Sequence, residues 1–547
     1  MSISSGIGFR PGSAVLPAVT AERLAPRARI LVAEPLAPEG LAFLEAAHDV
    51  VVRTGMSRDE FLAAVADCEA LLVRSQVQVD AEAIAAGRNL VVIGRAGVGV
   101  DNVDLDAATR AGITVINAPT ANTIAAAEHT LALLYAVARR IAAADASVRR
   151  GEWKRTAFTG VELRGKTLGI VGLGKIGMAI ADRARAMEME VIAHDPYVSS
   201  EVAANHGATL VEFAAVLARS DVLSLHVPLT RSTRNLLGGR EIAAMKEGAI
   251  LLNVARGGVV DENALAEALR SGHLGGAGVD VFAAEPPRES PLLDAPNTVL
   301  TPHLGASTAE AQVRVAVEAA QQVLDVLDGR PARYAVNAPL LTPETAQALA
   351  PFLPLAQMLG QFYAQFAPDM DALTLEVAGE IAAYDTAPLS AAVLRGLLET
   401  VTEERVNLVN AAHIARARGI TLVERRTPEA GRHGSLVTLS GSTAVGGTVT
   451  AGEPRLVRLG GYWLDMPPAR FMLVTRHQDR PGTMGRIGLM LGRADVNISA
   501  MHLARSGPRR DAFMILALDD PVPDPVAEEI RADEAVLDLW LIRLGSG

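Results

Sequence analysis

The chain has 547 residues, of which 50% are hydrophobic, 21% are charged and 4% are aromatic. At roughly 100–200 residues per domain, this length predicts several domains whose cores are packed mainly from aliphatic side chains. The formal net charge of −11 gives no electrostatic reason to bind nucleic acid or an anionic membrane surface, so small-molecule chemistry is the starting hypothesis.

The N-terminal segment, 1–27, is rich in Ser, Pro, Gly and Ala and has no helical or strand period, which predicts a disordered tail. It lacks the charged-then-apolar order of a signal peptide, and no apolar run reaches the roughly 18–20 residues of a membrane span. Cys68 is the only cysteine, which excludes an intrachain disulfide and a cysteine-rich metal site and predicts a buried, inert thiol. We expect a cytoplasmic protein without a metal.

From residue 28 the chain alternates short apolar runs with helical stretches, beginning RILVAEP, EGLAFLEAAHDV and DEFLAAVADCEALLVRS. Strand–helix alternation of this kind is typical of a parallel α/β sheet. A long apolar helix, roughly 123–148, leads to a second series of strands: TLGIVGLG, EVIAHDP, DVLSLHVP, AILLNVARGG, GAGVDVF and NTVLTPHLG. The sequence therefore predicts two Rossmann-like, doubly wound parallel-sheet domains.

The C-terminal part of the chain has a different pattern. A helix at roughly 308–328 ends at Gly329-Arg330-Pro331, where glycine and proline stop a helix and begin a linker. The stretch 334–466 mixes helices with strands rich in Thr, Val and Gly, which predicts an α+β domain. From 470 to 547 the order strand, helix, strand, strand, helix, strand indicates the βαββαβ ferredoxin-like plan.

A dinucleotide-binding turn is predicted where Gly172, Gly174 and Gly177 form a GxGxxG sequence between the strand TLGIV and a helix beginning near Ile176. The glycines permit a tight turn, close approach of a pyrophosphate and close helix packing. Asp195 ends the next strand, where a carboxylate accepts the ribose hydroxyls and repels a 2′-phosphate. We therefore predict NAD rather than NADP, although a GxGxxG sequence without this context could be a simple turn.

Asp280, at the end of a later strand, is predicted to meet the nicotinamide end of the cofactor, the alternative being an aspartate that caps a loop or helix. The whole predicted cofactor set is Gly172, Gly174, Lys175, Ile176, Gly177, Asp195, Val254, Ala255, Arg256, Asp280, His303, Gly305 and Ala306.

Three loops that follow strands offer catalytic groups: Arg256, Glu285 and His303. Oxidation of a hydroxyl carbon needs a base for the hydroxyl proton and a cation for the substrate carboxylate, while a cofactor takes the hydride. His303 can exchange a proton near neutral pH, Glu285 can hold its tautomer, and Arg256 can bind a carboxylate through two hydrogen bonds. Taken singly, each has an ordinary structural explanation: a helix cap, a turn residue before Pro286-Pro287 and a brace for a glycine loop.

The strings GRAGVGVDNVD, GLGKIG, NVARGGVVDE, DVFAAEPP and TPHLGAST, in this order, resemble the D-isomer-specific 2-hydroxyacid dehydrogenases over about 28–333. The resemblance implies that the arginine binds substrate, that the glutamate tunes the histidine and that the histidine is the acid/base. It also implies a substrate-binding domain made of 28–120 and 305–333 and an NAD-binding domain made of 121–304.

Within that family the chain is most similar to members that oxidise D-3-phosphoglycerate to 3-phosphohydroxypyruvate, the first step of L-serine biosynthesis. Like them it carries arginines in its VRS and GRAG segments, Arg74 and Arg95. We expect these to hold the phosphate as a charge clamp, with Arg256 also binding substrate; Arg74 and Arg95 could instead be solvated surface arginines. Asn102 and Asp104 are interpreted as structural loop residues.

The segment RHQDRPGTMGRIGLMLGRADVNISAM resembles an ACT domain, a regulatory module that pairs with a copy of itself and binds an amino acid at the joint. With 334–466 as an intervening domain, this arrangement resembles the long-form members of the family. It implies that His477, Asp479 and Asn497 contact serine, with Gly482 giving close approach at the turn; a purely structural dimer module is the alternative. Paired dehydrogenase and ACT modules imply a homotetramer or a homodimer.

Three functions stay open from sequence. The first is the serine-pathway enzyme, the second is a reductase of another 2-oxo acid such as glyoxylate, hydroxypyruvate or 2-oxoglutarate, and the third is an NAD-sensing corepressor. The complete set of Arg256, Glu285 and His303 modestly disfavours pure binding, and the ACT-like tail and the absence of a basic patch disfavour it more.

Overall fold

The structure is a computed structural model that describes residues 27–339, 342–367, 369–505 and 507–545. The predicted disordered tail, 1–27, lies outside these ranges except for Arg27. The described residues build four sheets, one in each of four successive domains. Within these ranges, no helix combines the length and the apolar character that crossing a bilayer requires.

The first domain is a five-stranded parallel sheet covered on both faces. Its elements are β1 (Arg29–Val32), α1 (Pro38–Ala47), β2 (Asp49–Val52), α2 (Arg58–Val65), β3 (Ala70–Val73), α3 (Ala81–Ala86), β4 (Val92–Arg95), α4 (Leu105–Arg110) and β5 (Thr114–Ile116). The order β2-β1-β3-β4-β5 is doubly wound, and such sheets bind ligands at the carboxyl edge where the order reverses, here between β1 and β3. Burial raises the pKa of the Cys68 thiol in this domain, which keeps the thiol protonated.

The second domain is a seven-stranded parallel sheet. Its elements are α5 (Thr123–Ala138), α6 (Ile141–Arg149), a 3₁₀ turn (Arg155–Phe158), β6 (Thr167–Val171), α7 (Lys175–Ala186), β7 (Glu190–His194), α8 (Ser200–Asn205), β8 (Thr209–Leu210), α9 (Phe213–Arg219), β9 (Val222–Leu225), α10 (Gly239–Ala243), β10 (Ala249–Asn253), α11 (Glu262–Arg270), β11 (Leu274–Val279) and β12 (Thr298–Leu300). The order β12-β11-β10-β9-β6-β7-β8 reverses between β6 and β9, as in dinucleotide-binding sheets. Both predicted parallel-sheet domains are confirmed, but the single helix predicted over 123–148 is broken at Arg140, whose φ of 52° is left-handed.

Helix α12 (Ala309–Leu327) returns the chain to the first domain. It also forms hydrogen bonds with the segment through which the chain leaves the first domain. Arg314, Glu318 and Gln322 lie one turn apart on one face of α12. They form hydrogen bonds of 2.9, 3.1 and 2.9 Å with the crossing segment 117–121. The two connections between the domains are therefore fastened to each other beside the cleft.

After α12 the chain still contacts the first sheet. Ala335 forms a bridge with Ile116, and the Asn337 side chain accepts a hydrogen bond from the Val115 N–H at 2.8 Å. The segment 334–338 thus lies along the edge of the first sheet before the third sheet begins.

The third domain is α+β, as predicted. Its elements are α13 (Pro343–Leu349), α14 (Phe352–Phe366), β13 (Ala372–Gly379), a 3₁₀ turn (Glu380–Ala383), α15 (Ala387–Glu399), α16 (Ala411–Ala417), β14 (Thr421–Thr427), β15 (Ser435–Ser440), β16 (Ala444–Thr450), β17 (Glu453–Leu459) and β18 (Tyr462–Met466). The sheet order is β14-β13-β15-β16-β17-β18, in which β13 and β14 are parallel and the other neighbours antiparallel. This domain docks on the first, where the Asn407 amide donates to the Gly112 carbonyl oxygen at 2.6 Å.

The fourth domain has the predicted βαββαβ order. Its elements are β19 (Phe471–Gln478), α17 (Thr483–Arg493), β20 (Ile498–Arg505), β21 (Asp511–Leu518), α18 (Asp524–Arg531) and β22 (Val536–Arg543), and the antiparallel sheet has the order β20-β21-β19-β22.

The third and fourth domains share one hydrophobic core. One face of the fourth sheet packs on its own helices, and the other face packs on α14. The rings of Trp540 and Phe366 lie 4.7 Å apart between centroids, and the Gln365 side chain makes two hydrogen bonds with the Arg543 backbone at 3.0 and 2.8 Å. The two domains are therefore joined by packing as well as by sequence.

Candidate active site

The GxGxxG turn connects β6 to α7, and each glycine meets a separate requirement. Gly172 has a φ of 92°, and a Cβ there would lie 2.5 Å from the His226 carbonyl oxygen. A Cβ on Gly177 would collide with the Gly172 carbonyl oxygen, so α7 can pack directly on the turn. Apart from Gly174 itself and its chain neighbours, no described atom lies within 4 Å of a Cβ position on Gly174, the N-cap of α7. The open space beside the helix N-terminus fits a pyrophosphate.

Asp195 lies beside this turn, because β7 is the neighbour of β6 in the sheet. Its Oδ2 accepts a hydrogen bond from the Leu173 N–H at 2.8 Å, and its Oδ1 accepts one from the Tyr197 N–H at 2.8 Å. The carboxylate is thereby fixed at the edge of the groove, where it fits ribose hydroxyls and opposes a 2′-phosphate. Lys175, also predicted to bind cofactor, places its ammonium 5.6 Å from the centre of the Tyr334 ring.

The strand order brings Arg256, Glu285 and His303 to one edge, because they follow the neighbouring strands β10, β11 and β12. His303 Nδ1 lies 2.9 Å from Glu285 Oε2, and the two side chains are 44% and 39% exposed. With Nδ1 donating to the carboxylate, Nε2 is left as the proton acceptor. The pair therefore has the geometry of an oriented general base that opens to the cleft.

Glu285 stays ionised in this pair. Burial alone would raise the pKa of Glu285, but hydrogen bonds from His303 and from the Phe282 N–H outweigh burial and hold that pKa below its usual range. An ionised carboxylate at this position stabilises the positive charge that the imidazole gains when it takes a proton.

The His303 backbone is held in an unusual conformation by Asp280. His303 has a φ of 57°, which is uncommon for a residue other than glycine. The Asp280 carboxylate accepts hydrogen bonds from the Leu304 and Gly305 N–H groups at 2.7 and 2.8 Å, and its Oδ1 lies 3.1 Å from His129 Nε2. Asp280 is completely buried beneath the loop with its oxygens engaged. This geometry favours the capping alternative over the predicted contact with nicotinamide.

The remaining predicted cofactor residues lie on two facing loops. Val254 and Ala255 follow β10, and Gly305 and Ala306 follow His303. A Cβ on Gly305 would lie 3.2 Å from Val254 Cγ1, so the loops approach each other closely above the sheet edge. They follow β10 and β12, which lie on the other side of β9 from the GxGxxG turn after β6.

The charges of the three predicted substrate arginines, Arg74, Arg95 and Arg256, act on one another at the cleft. The pKa of Arg95 is lowered to about 10, mainly by burial and then by the positive charges of Arg256 and Arg74. The negative charges of Asp101 and Glu34 partly offset this lowering. The Nε of Arg95 is buried and has no hydrogen-bond partner among the described residues. A partly buried cation beside two like charges, with a buried Nε that has no acceptor among the described residues, is costly unless an anion binds there. The site therefore fits a phosphate or a carboxylate.

The glycines of the GRAGVGVD string make room for these arginines. A Cβ on Gly97 would overlap the Arg95 guanidinium, and one on Gly99 would overlap the guanidinium of Arg256. Arg256 Nε donates to Asp101 Oδ2 at 3.2 Å, which is an ion pair between the first and second domains. Asp101 was not predicted as a site residue, and its place in this string was the only signal.

The predicted serine-binding residues do not form one site within the chain. His477 is buried at the end of β19, where burial lowers its pKa. Asp479 follows it and accepts hydrogen bonds from Arg505 and from the Arg509 N–H. Asn497 precedes β20 and donates to Asp519 at 2.6 Å.

Asp479 and Asn497 lie at opposite ends of the fourth sheet, because one follows β19 and the other precedes β20. Both strands run antiparallel to β21 and are therefore parallel to each other. The length of β20 separates Asp479 from Asn497 by roughly 25 Å at about 3.3 Å per residue. One serine molecule cannot contact both within a single chain.

Three family models match successive parts of the chain. The D-isomer specific 2-hydroxyacid dehydrogenase NAD binding domain matches 131–305, the D-3-phosphoglycerate dehydrogenase intervening domain matches 348–460 and the ACT domain matches 471–535. These matches agree with the predicted order of domains.

Individual relatives match nearly the whole chain. A D-3-phosphoglycerate dehydrogenase from Synechocystis sp. is 44% identical over 536 residues, which are 96% of this chain and 97% of that protein. One from Archaeoglobus fulgidus is 41% identical over 526 residues, which are 94% of this chain and 100% of that protein. The crystal structure of TT0316 protein from Thermus thermophilus is 41% identical and has a TM-score of 0.53, covering 56% of this chain and 99% of that one.

Proposed function

The chain belongs to the D-3-phosphoglycerate dehydrogenase family, and on that premise we propose that Arg256, Glu285 and His303 carry out its reaction. It is an NAD-dependent dehydrogenase that oxidises D-3-phosphoglycerate to 3-phosphohydroxypyruvate, the first step of L-serine biosynthesis. The reductase of another 2-oxo acid and the corepressor are not favoured, because the phosphoglycerate dehydrogenases match across all four domains.

His303 Nε2 takes the proton of the substrate hydroxyl as the C–H bond at the same carbon breaks. NAD supplies the hydride acceptor when it is bound. Glu285 keeps its hydrogen bond to Nδ1 throughout, so the charge on the imidazole is compensated at 2.9 Å. Arg256 holds the carboxylate next to the reacting carbon and polarises the carbonyl oxygen as it forms.

Arg95 and Arg74 hold the phosphate at the other end of the substrate. The observation that carries this assignment is the buried Nε of Arg95, which has no hydrogen-bond partner in the described part of the chain. A dianionic phosphate supplies the missing acceptor and offsets the repulsion among Arg95, Arg74 and Arg256.

A panel of 2-hydroxy acids tests this function through the absorbance of NADH. We expect turnover with D-3-phosphoglycerate and a kcat/KM about a hundredfold lower for D-glycerate, because hydrogen bonds to charged groups contribute about 1.5–3 kcal/mol each. The reverse reaction with glyoxylate and 2-oxoglutarate is measured alongside. Equal efficiency with an acid that has no phosphate would contradict the phosphate assignment.

The homo-oligomer forms through helix α6 and the segment that follows it as far as Trp153. Ile141 and Val148 on α6 are 52% and 57% exposed, and Trp153 is 80% exposed. Apolar side chains grouped on one surface are typical of a subunit contact. A homodimer or a homotetramer stays a prediction, and so does the cytoplasmic location.

L-serine binds between two copies of the fourth domain. Asp479 and Asn497 lie at opposite ends of one sheet, so a partner that pairs in the opposite direction places Asn497 of the partner subunit beside Asp479. The carboxylate and the amide are suitable partners for the ammonium and carboxylate groups of an amino acid.

Calorimetric titration of serine into the full-length protein tests this effector site. We expect heat of binding with the wild type and none with Asn497→Ala. Asn263→Ala, an exposed asparagine on α11, is the matched control and should keep the heat. The effector assignment fails if the wild type gives no heat, or if both variants bind equally.

A further inference from the structure

The loop that carries Arg74 is held by a buried carboxylate on a different strand. Glu34 follows β1 and is only 5% exposed. Its Oε2 accepts hydrogen bonds from the Arg74 and Val77 N–H groups at 2.6 and 3.2 Å, and its Oε1 accepts one from the Gln76 N–H at 3.1 Å. One carboxylate therefore satisfies three backbone donors of a four-residue loop.

The carbonyl groups of the same loop are held from the opposite side. The Asn102 amide donates to the Arg74 carbonyl oxygen at 3.1 Å and to the Val77 carbonyl oxygen at 2.7 Å. Asn102 is itself 8% exposed and lies next to Asp101, which pairs with Arg256. Glu34 and Asn102 together fix both ends of the loop 74–77.

This arrangement lies where the first sheet is open to ligands. Glu34 follows β1 and the loop follows β3, so the carboxylate spans the point at which the strand order reverses. A buried carboxylate costs free energy unless it is fully hydrogen-bonded, and backbone N–H groups supply its partners here. Its negative charge also partly offsets the repulsion that Arg95 experiences from the neighbouring arginines.

We propose that Glu34 and Asn102 are positioning residues that clamp the loop 74–77 and thereby aim Arg74 at the substrate phosphate. The proposal rests on the phosphate assignment made above for Arg74. It makes the selection of phosphorylated over unphosphorylated acids depend on a carboxylate that never touches substrate.

Glu34→Gln tests the clamp with the smallest change of shape. The amide keeps one acceptor oxygen but turns an NH₂ group towards one of the three loop N–H groups, so the loop loses a buried hydrogen bond and shifts. We expect the KM for D-3-phosphoglycerate to rise about tenfold, with kcat and the KM for NAD changed less than about twofold. The kcat/KM for D-glycerate should not change.

Glu69→Gln is the matched control. The Glu69 carboxylate accepts a hydrogen bond from the Arg29 N–H at 2.7 Å, at the opposite edge of the same sheet. A role limited to folding would lower the unfolding temperature of Glu34→Gln and leave its KM at the value of Glu69→Gln, which would overturn the proposal. Asn102→Ala removes the hydrogen bonds to the carbonyl oxygens of the loop and should raise the KM for D-3-phosphoglycerate in the same way as Glu34→Gln. It takes the place of Glu34→Gln if that variant does not fold.

Arg74→Ala and the double variant separate the clamp from the phosphate assignment. If Arg74 binds phosphate, Arg74→Ala raises the KM, and adding Glu34→Gln to it raises the KM no further because the clamp acts through Arg74. An unchanged KM in Arg74→Ala would overturn the phosphate assignment together with the clamp. A raised KM in Arg74→Ala with fully additive effects of Glu34→Gln would overturn the clamp alone.

Discussion

Replacing His303 with alanine is expected to lower kcat by about a hundredfold to ten-thousandfold, the range that a general acid–base group contributes. We propose His303 as the acid/base of the Arg256, Glu285 and His303 set, because its Nε2 can face the substrate once Nδ1 is bonded to Glu285. His303 belongs to the predicted cofactor set, but NAD binding should change less than about twofold, because the pyrophosphate and ribose sites predicted at Gly174 and Asp195 lie after β6 and β7. Steady-state kinetics and an NAD titration of the purified variant measure both quantities.

His206→Ala is the matched control for this experiment. His206 Nδ1 lies 3.0 Å from Asp182 Oδ1, so it is also a histidine–carboxylate pair of the second domain, but it lies at the end of α8. We expect its kcat to equal that of the wild type. Strong loss of NAD binding in His303→Ala, with kcat affected only in proportion, would argue against the acid–base assignment.

Arg95→Met is expected to weaken substrate binding and to stabilise the ligand-free protein at the same time. Methionine fills a similar volume without the charge, so the variant loses the phosphate partner, and the KM for D-3-phosphoglycerate should rise about tenfold to a hundredfold. In the ligand-free wild type the Arg95 Nε is buried and lacks an acceptor among the described residues. Asp101 and Glu34 offset this charge only in part, so replacing it with an apolar side chain removes a cost and the unfolding temperature should rise.

The opposite signs of the two effects distinguish this prediction from general damage to the fold. Arg58→Met is the control, since Arg58 is paired with Asp80 and with Glu82, the latter at 2.8 Å, on the surface of the same domain. That variant should keep its KM and gain no stability. A fall in the unfolding temperature of Arg95→Met, measured by thermal unfolding without ligand, would show that the guanidinium is already compensated in the free protein.

The fold could be predicted in its domain order because each domain has a distinct sequence period. Strands such as β3 and β10 are buried on both faces, so they appear as unbroken apolar runs between helices. The break at Arg140 could not be predicted, because neither proline nor glycine marks it in the sequence. A left-handed residue other than glycine is imposed by packing rather than by local preference.

The candidate site was predictable where a residue follows a strand and has a side chain suited to the proposed chemistry. Arg256, Glu285 and His303 are of this kind, and the parallel sheet alone brings them together. Glu34, Asp101 and Asn102 were missed or interpreted as structural, because their partners are a backbone loop or an arginine far away in the sequence.

The residues predicted to bind serine show a second limit of sequence reasoning. His477, Asp479 and Asn497 were grouped by resemblance to a motif, but the strand directions in the fourth domain separate Asn497 from the other two within one chain. Sequence spacing carries no information about which chain completes a site.

The core shared by the third and fourth domains restricts how such a protein can arise and be rearranged. A free fourth domain would present the apolar face of its sheet, including Met472, Val474 and Ile515, to water. A gene encoding only the fourth domain would therefore yield a protein prone to aggregation. A gene that ends before the fourth domain would expose the apolar surface of α14 to water. We therefore expect the third and fourth domains to be stable only together, although the sequence matches two separate family models.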